Sequence, residues 1–317
     1  MVTKSKPTLI SLTALAVVFN ATLVSADTTS MTTTAATEAD VHLSNIIPDN
    51  GAADRIGAAD RLRTLSQEIS AETCFLHNDV MSDHNRSALA HSVSEFDEIL
   101  DALLYGDPDR HIIGAEENPK TIREIEAIKA EWEPVHLAAD ATLANPDDAA
   151  AVHQIYEQSE HLLETTSHLL SELESEYSHP TEVLMADMLL IEFAGRQAML
   201  TQKIAYDACL VWSGYGGQEQ MDELHEICGN FDLIARALHD GLDAVGIAKA
   251  PTPQIREALE EVVADWDEVL SHLEHVADGG QVGHDNMSWI DMAMTKKMHR
   301  MEEIVEMYVV YSRRALI

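Results

Sequence analysis

GRQAMLTQKI, residues 195–204, restates DRLRTLSQEI, residues 60–69. Arg61, Leu65, Gln67, Ile69 and Cys74 return as Arg196, Leu200, Gln202, Ile204 and Cys209, each 135 positions later. Beyond the phrase, Phe96 and Gly106 match Phe231 and Gly241 at the same offset. Ile122-Arg123-Glu124 with Trp132 matches Ile255-Arg256-Glu257 with Trp266, offset by 133 to 134. A register kept within two residues over four helical segments marks a tandem duplication of one unit.

Ala, Leu, Glu and Asp dominate the chain and β-branched alternation is nearly absent, which predicts an all-α fold. The pattern reads as two tandem four-helix units forming antiparallel helical bundles. Repeat 1 occupies 48–178, with helices over 50–79, 82–105, 119–142 and 147–177. Repeat 2 occupies 179–317, with helices over 181–213, 218–245, 252–277 and 285–314. MSDHN, GDPDRHIIGAEENP, Asn145-Pro146, Ser178-His179-Pro180, SGYGG, GIAKAPTP and DGGQVG supply the breaks. Each unit is long enough for its own core, or the two share one.

Lys4 and Lys6 precede an apolar run from Leu9 to Val24, and Val24-Ser25-Ala26 fits a small-residue cleavage site. This is the layout of a secretory signal peptide over 1–26, cut near Ala26-Asp27, although a retained N-terminal anchor is the alternative. Residues 27–47 are Thr/Ala-rich and read as a disordered leader. No later stretch reaches ~18 uninterrupted apolar residues, so the exported chain is expected to be soluble, periplasmic or secreted. Without Lys4 and Lys6, 18 basic face 55 acidic side chains, a formal charge of −37. Such a surface repels nucleic acid and anionic lipid, so no nucleic-acid partner is expected.

On the first helix, Leu62, Leu65, Ile69 and Leu76 form an apolar stripe for the bundle core. A second stripe, about 140° around the axis at 100° per residue, carries Arg63, Gln67, Ser70 and Cys74. Its repeat-2 counterpart is Ala198, Gln202, Ala205 and Cys209. The expectation is that these small and polar faces meet along a pseudo-two-fold axis, with glutamines bonding across it; the alternative is that they face water. If the first helices lie parallel, Cys74 and Cys209 are symmetry mates able to form a disulfide. The rival pair, Cys209 with Cys228, is separated by roughly 10 Å of helical rise in a hairpin turning at SGYGG, whereas bridged Cα atoms lie within ~7 Å. Three buried thiols are the third possibility.

FAGRQAMLTQKIAYDACLVWSGY resembles the first-helix signature of the PilJ/NarX-type sensory domain, roughly AGRQRMLSQR before an apolar stretch, and AADRLRTLSQEISAETCFL is a more diverged copy. The resemblance covers roughly 50–314. It implies an extracytoplasmic helical bundle of the kind placed before chemotaxis transducers and nitrate/nitrite sensor kinases, in which paired arginines grip the anion. The second arginine of the phrase falls on Arg63 and on Ala198, and the one after the glutamine falls on Glu68 and Lys203, so the clamp is half present. The expected function is an exported, soluble sensory or ligand-binding module. Its candidate site is the inter-repeat seam of Arg63, Gln67, Arg196 and Gln202, with nitrate or nitrite as the ligand. Up to Ile317 no kinase or signalling coiled coil follows, so the expected partner is a membrane-bound sensor or chemotaxis transducer. The alternatives are a cell-envelope structural or interaction protein and a metal-binding bundle.

Other constellations are weak. No CxxC is present for covalent haem, and no GxSxG, P-loop or GxGxxG suggests an enzyme; neither a cofactor nor a metal site is assigned. His272 and His275 stand one turn apart, but the Glu-x-x-His from Glu133 to His136 holds Pro134. Met294, Met298, Met301, Val305 and Tyr308 space as a core stripe, with copper(I) ligation by Met287, Met294, Met298 and Met301 the rival reading. Trp132 and Trp266 are expected to anchor the two cores.

Overall fold

A computed structural model describes residues 51–177 and 185–314, so the signal segment, the leader and the Ser178-His179-Pro180 break lie outside the described residues. Repeat 1 contributes α1 (Ala52–His77), α2 (Ser82–Tyr105), α3 (Pro119–Ala144) and α4 (Ala149–Tyr177). Repeat 2 contributes α5 (Met185–Ser213), α6 (Gln218–Asp240), α7 (Pro253–Ala264), α8 (Trp266–Ala277) and α9 (His284–Arg314). α1 packs on α2, α4 and α5, and α5 in turn packs on α6, α8 and α9. The fold is all-α, and no described helix is long and apolar enough to cross a membrane.

The duplication is legible down to its loops. α3 and α7 both start behind a capping side chain with proline next: Asn118 accepts from Lys120 N at 2.9 Å, and Thr252 accepts from Ile255 N at 3.2 Å. After α2 and α6 the chain makes the same short hairpin, closed by the bridges Asp107 to Ile112 and Leu242 to Ile247. Each hairpin follows a glycine at positive φ, Gly106 at 83° and Gly241 at 86°. At Gly106 a Cβ would come within 2.6 Å of the Gly114 carbonyl oxygen, so only glycine fits the close approach.

Each repeat builds its own core. Leu62, Leu65, Ile69 and Leu76 pack with Phe96, Trp132 and Leu169 in repeat 1, while Ile204, Phe231, Trp266 and the Met294, Met298, Met301 and Tyr308 stripe fill repeat 2. The end of α1 crosses over: Ala71, Cys74 and Phe75 belong to the second core. The matched aromatic pairs are in contact, Phe96 with Trp132 at 4.2 Å between ring centroids and Phe231 with Trp266 at 4.4 Å. Such pairs add ~1 kcal/mol beyond burial.

The helix expected over 252–277 is interrupted at Asp265, where φ is −110° and ψ 9°. The cause lies on α9. The buried Lys297 ammonium donates to the Val262 carbonyl at 2.7 Å and to the Asp265 carboxylate, drawing on an acceptor of the helical ladder. In repeat 1 the matching helix α3 runs unbroken through Pro134.

Candidate functional site

α1 and α5 lie side by side in the same direction and without slip. Cys74 and Cys209 are joined as a disulfide with Cα atoms 6.2 Å apart. Fourteen residues earlier on both helices, Gly195 abuts Asp60, and a Cβ on Gly195 would lie 2.1 Å from Asp60 Oδ2. Between those two fixed points the register sets Arg63 at the level of Ala198, Gln67 of Gln202, and Ser70 of Ala205. Asp60 and Arg63 of repeat 1 face small residues of repeat 2, Gly195 and Ala198, whereas glutamine stands level with glutamine. The seven-residue steps 60, 67, 74 and 195, 202, 209 are those of a parallel coiled-coil seam.

The polar stripe is buried rather than wet: Arg63 is 6% exposed, Gln67 0%, Gln202 3% and Ser70 1%. Arg63 does not stand open to a ligand. Its guanidinium holds Asp60 at 2.5 Å and lies 3.8 Å from Glu192 on α5, while its Nε is buried without a partner among the described residues. Burial pushes the Asp60 carboxyl up despite the pull of Arg63. Burial, followed by repulsion from Glu192, raises Glu174 to about 7. Asp60 and Glu192 thus flank one cation, and Glu174 is close enough to feel its charge.

The remaining expected residues separate. Gln67 turns from α5 to α4, where Nε2 donates to the Ser159 carbonyl at 3.3 Å and Oγ at 3.4 Å. Ser70 donates to the same Ser159 Oγ at 2.9 Å. The expected bond between glutamines is therefore absent, and Gln67 Oε1 and Gln202 Nε2 are both buried without partners among the described residues. Arg196 is exposed and makes no ion pair or hydrogen bond among the described residues, so it does not line the seam. Its register mate is Arg61 rather than Arg63.

Sequence reasoning missed Arg61 as a hub. It donates to Glu95 at 2.7 and 3.2 Å, to Glu68 at 2.7 Å and to Glu302 on α9 at 3.0 Å, tying α1 and α2 to repeat 2. One turn beyond Glu68, burial and then the Glu68 charge hold Glu72 well above the carboxylate range; Ser92 donates to one of its oxygens at 3.1 Å. A second missed cluster surrounds Lys203, with Glu223 at 2.9 Å, Asp207 at 3.5 Å and Glu160 at 3.6 Å. Burial raises Asp207 to about 7. The signal for Asp60 was present, since it stands seven residues before Gln67 and three before Arg63; Glu302, Glu95 and Ser159 come from other helices and leave no such spacing.

Cys228 is a free, buried thiol pushed up by burial. Among the described residues no group of three or more His, Cys, Asp or Glu side chains is placed to hold a metal ion. His272 instead lies against Trp289, 4.7 Å between ring centroids.

A family model described as the type IV pili methyl-accepting chemotaxis transducer N-terminal domain, PilJ, matches residues 49–157 and again 184–284. No curated protein matches the chain.

Proposed function

The chain belongs to the PilJ family of chemotaxis-transducer N-terminal domains, and on that premise we propose that it is an exported, non-enzymatic sensory module. Two family domains, fused head to tail, form one ligand-responsive unit about the α1–α5 seam. The observation that carries the reading is the in-register parallel seam locked by Cys74–Cys209. A buried disulfide also supports export, since such bonds persist in oxidising compartments. The signal would pass to a membrane-bound sensor or chemotaxis transducer.

Nitrate or nitrite, the ligand suggested by the family phrase, has a defined obstacle here. Arg63 is a fork suited to a planar oxyanion, but Asp60 already neutralises it. Any anion must displace a carboxylate tethered three residues away, so the seam responds weakly until Asp60 is removed or protonated. Titration calorimetry with nitrate and nitrite tests this. Wild type should bind weakly or not at all, Asp60→Asn at least tenfold tighter, and Asp60→Asn with Arg63→Ala not at all. If Asp60→Asn binds neither anion, the anion reading fails. The seam is then packing alone, as in a cell-envelope interaction protein, a reading that the complete burial of Gln67 and Ser70 favours.

A further inference from the structure

A second recess, apart from the seam and sharing no lining residue with it, opens where the start of α2 meets α7 and α9. Its volume is about 670 Å³, within the range of small-molecule sites. We propose that this cleft binds a small zwitterion, a free α-amino acid with an apolar side chain.

Lys296, Lys297 and Arg300 line the cleft from α9 together with Glu303 on the same helix, and Glu261 and Asp265 line it from the end of α7 and the break behind it. Arg300 reaches Glu261 at 3.0 Å and also pairs with Glu303, while Lys297 pairs with Asp265. Lys296 is exposed and has no ion pair among the described residues. Arg300 Nε is buried and has no hydrogen-bond partner among the described residues, so the donor capacity of the guanidinium is not used up by Glu261 and Glu303. The carboxylates stand largely in water, Glu261 64% and Glu303 57% exposed. Ion pairs of that kind are worth little, so exchanging them for a ligand's own charges costs little. Met81 and Met292 add thioether surface, and Met292 is 49% exposed despite its apolar side chain. Flexible methionine surface adapts to varied apolar groups.

The whole-chain charge selects among ligands. A protein of formal charge −35 repels a free anion and concentrates any cation over its entire surface. A zwitterion has no net charge to be repelled, and it presents an ammonium to Glu261 and Glu303 and a carboxylate to Lys296 and Arg300 at once. Because Lys297 braces the break between α7 and α8, occupancy next to it bears on a joint of the fold.

Titration calorimetry of the full chain with L-leucine tests the assignment, alongside 4-methylpentanoate, which lacks the ammonium, and leucinamide, which lacks the carboxylate. Leucine should bind one to one, and each half-ligand at least tenfold more weakly. Arg300→Gln and the surface variant Lys296→Gln should weaken leucine binding, by at least tenfold and about threefold, with unchanged circular dichroism. Asp60→Asn and Arg63→Ala should leave it unchanged, which separates this site from the seam. Absence of leucine binding, equal binding of either half-ligand, or full affinity in both Arg300→Gln and Lys296→Gln overturns the proposal.

Discussion

Reducing the Cys74–Cys209 bond should cost this protein about 3–5 kcal/mol. The bond closes a loop spanning a sequence separation of 135. For a loop of that length the chain-entropy relation gives ~17 cal/mol/K, or ~5 kcal/mol at 25 °C; measured values more often fall between 2 and 4. Two arms separate entropy from packing. Reduced wild type keeps both sulfurs in place and loses only the cross-link. Cys74→Ala with Cys209→Ala also empties space at two positions that are 0% exposed, so it should fall ~1 kcal/mol lower still. Urea unfolding followed by circular dichroism reads both. Because the bond fastens the end of α1, most of which serves the first core, to α5 within the second, its loss should also flatten the transition as the repeats uncouple. Superimposable oxidised and reduced transitions, or a peptide map showing Cys209 joined to Cys228, would refute the reasoning.

Gly195→Ala places a Cβ against the Asp60 carboxylate and should destabilise by about 1–3 kcal/mol, with much of the loss recovered in the double variant with Asp60→Ala; a denaturant-based double-mutant cycle checks the coupling. Arg61→Met strands Glu68, Glu95 and Glu302 and should cost about 3 kcal/mol, whereas Arg196→Met at the register-equivalent position should change stability by less than ~0.5 kcal/mol in the same assay. Burial holds Asp207 and Glu174 at about 7, above their ordinary 3.8 and 4.5, so across that interval the folded chain keeps protons that the unfolded chain has released. Stability therefore falls as pH rises from about 4 to 7. Thermal unfolding should show a midpoint at least ~3 °C higher at pH 5 than at pH 8, and Asp207→Asn with Glu174→Gln should narrow the gap.

The architecture was readable because duplication leaves its trace in periodicity. Leu62, Leu65 and Ile69 recur at core spacing, Phe and Trp recur in step, and the cysteines fall on one register. The candidate site was readable only in outline. Arg63 and Gln67 were correctly placed on a buried stripe, yet the partner of Arg63 was the first residue of the quoted phrase, and its role depends on the bare Gly195 opposite. Arg196 was paired by chemistry with Arg63, although the constant offset makes it the mate of Arg61, on the outward side. The α7–α8 break could not be foreseen from its own residues, since its cause is Lys297, supplied by another helix. Ser159 likewise takes up the amide of Gln67 from a helix whose local pattern marks it only as a small polar residue.

Identical subunits meeting on a two-fold axis must show each other the same residue at every level. The α1–α5 seam breaks that obligation, with a carboxylate on one side and a bare α-carbon on the other. Two copies of α1 joined in the same way would bring Asp60 against Asp60, a clash of both bulk and charge. With both copies in one polypeptide, each side can carry its own residue at the same level, and here the carboxylate of Asp60 fits only against the bare α-carbon of Gly195.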